Sequence, residues 1–128
     1  MKKGFKQLVS EANADVSTWT VADAIASVNK PDVAFIDIRE AEELARDGVI
    51  PGSEAAPRGM LEFYADPESP YHKPVFSSGK TIVLYCASAG RSALAAKTLK
   101  DMGLDNVAHV GGGFKAWVAA NGPVEKKA

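Results

Sequence analysis

Two short stretches, residues 33–36 (VAFI) and 81–85 (TIVLY), are almost unbroken in apolar side chains and are bounded by turn or charged residues. A strand covered on both faces needs no polar alternation, so these runs predict central strands of a parallel sheet. A weaker run, Val107 to Val110, follows Asp105 and Asn106 and leads into Gly111, Gly112 and Gly113. It predicts a third strand, ending where the backbone turns or is approached closely.

Helical patterns lie between these runs. Thr20 stands three residues before Asp23, a capping-box variant ahead of an Ala-rich stretch through Val28 that Asn29-Lys30-Pro31 closes. Residues 40–46 begin with acids, carry Arg46 near the end and are followed by Gly48, the charge order that suits a helix dipole. The acidic cluster Glu40, Glu42 and Glu43 reads as the exposed first turn of that helix. Leu94, Ala95, Thr98, Leu99 and Met102 fall on one face of a longer helix that Gly103 ends. A last helix over residues 114–120, with Trp117 turned inward, stops at Asn121-Gly122-Pro123. Residues 66–79 hold three prolines and no periodicity, which predicts a long surface loop. Alternation of strand and helix implies an α/β sandwich, with helices on both faces of a mostly parallel sheet.

Length and charge then narrow the function. A chain of 128 residues that is 46% hydrophobic supplies one core and not two. Fifteen basic against sixteen acidic side chains leave a net charge of -1, without the field that draws in a nucleic-acid backbone. Cys86 is the single cysteine, and His72 and His109 are the two histidines, so neither an internal disulfide nor a zinc site of ordinary spacing can be assembled. The N-terminal segment MKKGFKQLVSEANAD has no apolar core of the kind a secretory signal needs, and no run is long enough to span a bilayer. A cytoplasmic domain is the expectation, with no membrane partner. Residues 65–128 carry eight basic and five acidic side chains, a mild bias towards anionic ligands.

Ligands of open α/β sheets gather at the carboxyl ends of the strands. Cys86 follows the most hydrophobic strand directly, and Ala87, Ser88, Ala89, Gly90, Arg91 and Ser92 lead from it into the amphipathic helix. Small residues let such a loop curl and aim several N–H groups at one point. Half a positive charge at a helix end, roughly 4.5 Å from the sulfur at an effective dielectric near 20, favours the thiolate by about 1.8 kcal/mol. The alternative is a small buried hydrophobe that merely ends a strand.

Other motifs fail on context. Gly79-Lys80-Thr81 precedes a strand, where a phosphate-binding loop must follow one. Gly111-Gly112-Gly113-Phe114-Lys115-Ala116 matches a dinucleotide pattern, but too little chain follows for the second strand with its ribose-binding acid. A phosphatase loop needs arginine six places after its cysteine; Ser92 holds that place and Arg91 comes one earlier. His109 reads as a packed or hydrogen-bonded strand residue, and His72 as a loop residue.

Asp37-x-Arg39, the Ile50-Pro51-Gly52 turn, the six-residue loop from Cys86 to Arg91 and the closing Gly111-Gly112-Gly113-Phe114-x-x-Trp117 together resemble the single-domain rhodanese family of sulfurtransferases. The resemblance covers about residues 15–124, with 1–14 as an N-terminal extension and 125–128 as a tail. It implies a rhodanese-like three-layer sandwich around a mostly parallel five-stranded sheet. It also implies that Cys86 carries a persulfide, taking sulfane sulfur from a small anionic donor such as thiosulfate or from another persulfide. The acceptor would be a thiol, cyanide or a protein. Amides of Ala87 to Ser92 would stabilise the persulfide anion, with no metal or organic cofactor. Asp37 and Arg39 are expected as an ion pair framing the site, and Arg58 as a contact to an anionic donor. Val49 replaces the family's usual histidine, a change expected to bear on local packing. Rhodanese-like domains also serve as non-catalytic regulatory modules, which is the alternative reading.

Overall fold

The computed structural model describes residues 1–127. Five strands, β1 (Ser17–Trp19), β2 (Val33–Asp37), β3 (Glu54–Ala55), β4 (Thr81–Tyr85) and β5 (Val107–Val110), form one sheet in the order β1-β5-β4-β2-β3. Every pairing within it is parallel. β4 is the central strand, in register with β2 from Val33 opposite Thr81 to Asp37 opposite Tyr85. Both of its faces are therefore covered, which is why its sequence is a continuous apolar run.

Alternation along β4 divides the core. Ile82, Leu84 and Cys86 face a cluster with Ile36, Ile38, Leu61, Ala95, Ala96 and Leu99, under helices α4 (Leu61–Ala65) and α5 (Gly90–Asp101). Val83 and Tyr85 face the opposite cluster, where Phe35, Phe114 and Trp117 pack beneath α2 (Val21–Ala26) and α6 (Gly113–Ala119). The remaining helices are α1 (Phe5–Asp15) and α3 (Ala41–Asp47). Thr20 caps α2 by accepting from the Asp23 N–H at 3.1 Å, and Trp117 is fully buried.

The structure corrects two readings. The buried face of α5 is Ser92, Ala93, Ala95, Ala96 and Leu99, whereas Met102 is exposed. Small side chains let this helix lie close to the sheet while α1 packs on its outer side, so its apolar stripe alone does not locate the buried face. Residues 66–79 are not uniformly superficial: a 3-10 turn over Pro74–Ser77 drives Phe76 into the core. The N-terminal segment is a helix whose Ala12 is fully buried. Val49, where a histidine was expected, is buried and exchanges backbone hydrogen bonds with Glu125 at 2.9 and 3.0 Å.

Candidate active site

Cys86 sits at the carboxyl end of the central strand, and the chain curls around its sulfur. The N–H of Ala89 donates to Cys86 Sγ at 3.2 Å, and that of Ser92 at 3.4 Å. The curl requires Ala89 to adopt a left-handed backbone (φ 86°), a conformation that costs an L-residue about 1–2 kcal/mol. Cys86 itself is only 1% exposed, so the sulfur is recessed behind its own loop.

α6 supports the loop from below. The Phe114 N–H donates to the Cys86 carbonyl at 2.8 Å and the Lys115 N–H to the Ala87 carbonyl at 3.0 Å. That approach demands glycine at Gly113, where a Cβ would stand 2.6 Å from the Ala87 carbonyl oxygen. The glycine run therefore marks the close backbone approach that its composition implied.

Asp37 and Arg39 form a pair with both side chains 1% exposed. Arg39 Nε donates to Asp37 Oδ1 at 2.9 Å, and Nη2 donates to Asp37 Oδ2 at 2.7 Å and to the Gly48 carbonyl at 2.8 Å. Its guanidinium lies 4.3 Å from the centre of the Phe114 ring. Burial opposes the guanidinium's charge, but the hydrogen bonds and charge of Asp37 outweigh it and hold its pKa above the usual arginine value. The pair joins the end of β2 to the end of α3 and to the start of α6, two of the supports around the loop.

α3 supplies a residue that sequence reasoning misplaced. Glu43 is not part of an exposed acidic turn: its side chain is 16% exposed and accepts two hydrogen bonds from Arg91, at 2.8 and 2.9 Å. Those bonds hold the Glu43 carboxyl at a pKa of about 2. Arg91 is thus turned to Glu43, and its charge is balanced within the protein. Arg58 is engaged elsewhere, by Glu62 at 2.8 Å and Thr98 at 3.4 Å. Thr98 lies two helical turns beyond Arg91, roughly 10 Å along the axis, so Arg58 does not join the Cys86 loop.

His109 is buried and supports the loop from β5. Ser92 Oγ lies 2.8 Å from His109 Nδ1 and 3.2 Å from the Ala89 carbonyl, so one hydroxyl ties the ring to the loop. His109 Nε2 is hydrogen-bonded to the Thr18 hydroxyl at 3.0 Å. Asn13 Oδ1 stands 2.9 Å from the same nitrogen. Burial lowers the His109 pKa, which favours the neutral ring. Thr18 and Asn13 escape sequence reasoning because they meet His109 only through the fold.

The rhodanese-like domain model matches residues 20–120, and the chain belongs to that family. The thiosulfate sulfurtransferase GlpE of Pseudoalteromonas translucida is 31% identical over 101 residues, covering 79% of this chain and 88% of that one. The polysulfide-sulfur transferase homodimer of Wolinella succinogenes superposes with a TM-score of 0.71 at 28% identity, over 97% of this chain and 88% of that one. A protein of unknown function from Rhodopseudomonas palustris, described as a possible tyrosine phosphatase, superposes at 0.95 with 54% identity, over 98% and 96% of the two chains. The fold is rhodanese-like, and the family includes sulfurtransferases.

Proposed function

We propose that the protein is a sulfurtransferase that carries sulfane sulfur on Cys86. The observation that carries this reading is the convergence of the Ala89 and Ser92 N–H groups on Cys86 Sγ. Donors fixed in the fold stabilise an anionic sulfur without reorganising. Names of sulfur-transferring relatives support the same class.

With thiosulfate as donor, the Cys86 thiolate attacks the outer sulfur. The S–S bond of thiosulfate breaks, its electron pair leaves with sulfite, and Cys86 becomes a persulfide anion. An acceptor thiolate or cyanide then attacks the outer sulfur of that persulfide, and the Cys86 thiolate is expelled. Charge balances in both displacements, and neither needs an outside oxidant or reductant. Dividing the transfer into two displacements is ordinary covalent catalysis. Asp37, Arg39 and Glu43 position the loop, and Ala87 to Ser92 bind the sulfur. A single cysteine with no disulfide partner suits a reducing, cytoplasmic setting.

Phosphoryl chemistry, suggested by the description of the R. palustris protein, fits less well. The two loop donors point at the sulfur itself, and Arg91 is committed to Glu43. The burial of Cys86 favours a second reading, a non-catalytic module that docks a partner. Thiocyanate release from thiosulfate and cyanide decides between them. Sulfur transfer requires turnover that Cys86→Ser abolishes while the fold persists; a folded Cys86→Ser variant with undiminished turnover overturns the proposal, and an inert wild-type thiol favours the module.

A further inference from the structure

Beside the Cys86 loop lies an open groove of about 570 Å3, walled by Phe5, Lys6, Val9 and Asn13 of α1 on one side and Ser88, Ala89 and Gly90 on the other. α1 lies outside the segment matched by the family model. It is firmly attached. Ala12 is fully buried, Asp15 pairs with Lys97 and Lys100 of α5 at 3.1 and 2.8 Å, and Asn13 meets His109.

The charge in the groove has one sign. Lys6 is the one charged residue of its lining. Among the described residues no carboxylate pairs with it: Glu11 is taken by Lys3, and Asp15 by the two α5 lysines. The Cys86 loop offers no competing free cation, because Arg91 is bound to Glu43. The groove adjoins the loop around the reacting atom: Ala89 lines it and donates its N–H to Cys86 Sγ at 3.2 Å, although Cys86 itself is not part of the lining.

The geometry points to this groove as the binding site for a low-mass thiol carrying a carboxylate, recognised by Lys6, that accepts sulfur from Cys86. The inference rests on the sulfur-transfer reading. The carboxylate pairs with the Lys6 ammonium, the stem lies against Phe5 and Val9, and the thiolate reaches over Ala89. There it attacks the outer sulfur of the Cys86 persulfide. A new S–S bond forms on the acceptor, the old one breaks, and its electron pair returns to Cys86 as thiolate.

The test compares three acceptors on full-length protein preloaded with persulfide: glutathione, which carries free carboxylates, neutral 2-mercaptoethanol and cationic cysteamine. Wild type should favour glutathione, with transfer rates corrected for each thiol's ionised fraction. Lys6→Ala should raise the half-saturating glutathione concentration about fivefold, the size of one partly exposed charge contact, and leave 2-mercaptoethanol unchanged. Lys6→Arg should restore the preference and Lys6→Glu should shift it towards cysteamine. An unchanged glutathione preference in Lys6→Glu overturns the inference even if sulfur transfer proceeds. If Cys86 fails to load from any donor, the sulfur-transfer reading falls, and binding of unreactive S-methylglutathione decides the groove separately. Its addition should shift the amide NMR signals of Lys6, Val9 and Ser88 to Gly90 in wild type and not in Lys6→Glu. No such shift in wild type overturns the site.

Discussion

His109 Nδ1 lies 2.8 Å from Ser92 Oγ, and the same hydroxyl holds the Ala89 carbonyl at 3.2 Å, so a buried ring on β5 fixes the loop that encloses Cys86. Removing the hydroxyl leaves the buried His109 Nδ1 without this partner. Ser92→Ala should therefore cost about 1–3 kcal/mol of stability, measured by denaturant unfolding, and should slow sulfur uptake. Unaltered stability and uptake would show that this contact does not hold the loop.

Titration offers a second view of His109. Burial lowers its folded-state pKa below 6.5, so between that lowered value and 6.5 the unfolded chain binds a proton the folded protein does not. Its contribution to stability is complete above pH 6.5 and is lost as pH falls. His109→Gln should flatten the stability profile just below pH 6.5. An equally steep profile in the variant would assign the slope to other groups.

Glu43 titrates in a lower window. Its folded pKa of about 2 lies below the ordinary value of 4.5, chiefly because of the hydrogen bonds from Arg91. The stability this supplies is present above pH 4.5 and is lost between 4.5 and about 2. Glu43→Gln should remove that part of the acid-induced loss while also freeing Arg91. Stability measured across this range should show a shallower slope in the variant; identical slopes would contradict the pairing.

Asp37 and Arg39 should behave as an inseparable pair. Arg39→Ala leaves the Asp37 carboxylate buried and uncompensated, and breaking such a pair costs about 3–5 kcal/mol. Thermal unfolding measures it, and a loss under about 1 kcal/mol would mean that water reaches Asp37 after the change.

Ala89 should show stability and activity moving in opposite directions. Ala89→Gly removes the left-handed strain and should raise stability by about 0.5–1 kcal/mol, after allowing for glycine's greater unfolded-state entropy. A looser loop aims its N–H at the sulfur less consistently, so sulfur uptake should slow. Faster uptake in this variant would count against a preset loop.

The legible parts of this fold are those where burial leaves a local mark. β2, β4 and β5 are visible as apolar runs because the interior strands need no polar alternation. β1 and β3 are not, being edge strands of three and two residues with little apolar content. Cys86, its loop and the glycine run were readable because strand, small residues and helix adjoin in sequence. Glu43 was not, because an acid in the first turn of a helix looks solvated until the partner 48 positions away is known. Arg58 shows the opposite case: the family resemblance implied a donor contact, whereas Glu62, one turn further along, holds its guanidinium.

Intact mass spectrometry after exposure to thiosulfate or a small persulfide shows whether Cys86 takes up sulfur. Sulfur carriage on Cys86 requires a gain of one sulfur atom that maps to Cys86, disappears on adding cyanide and is absent in Cys86→Ser. A folded wild-type protein whose mass never changes under either donor would contradict it.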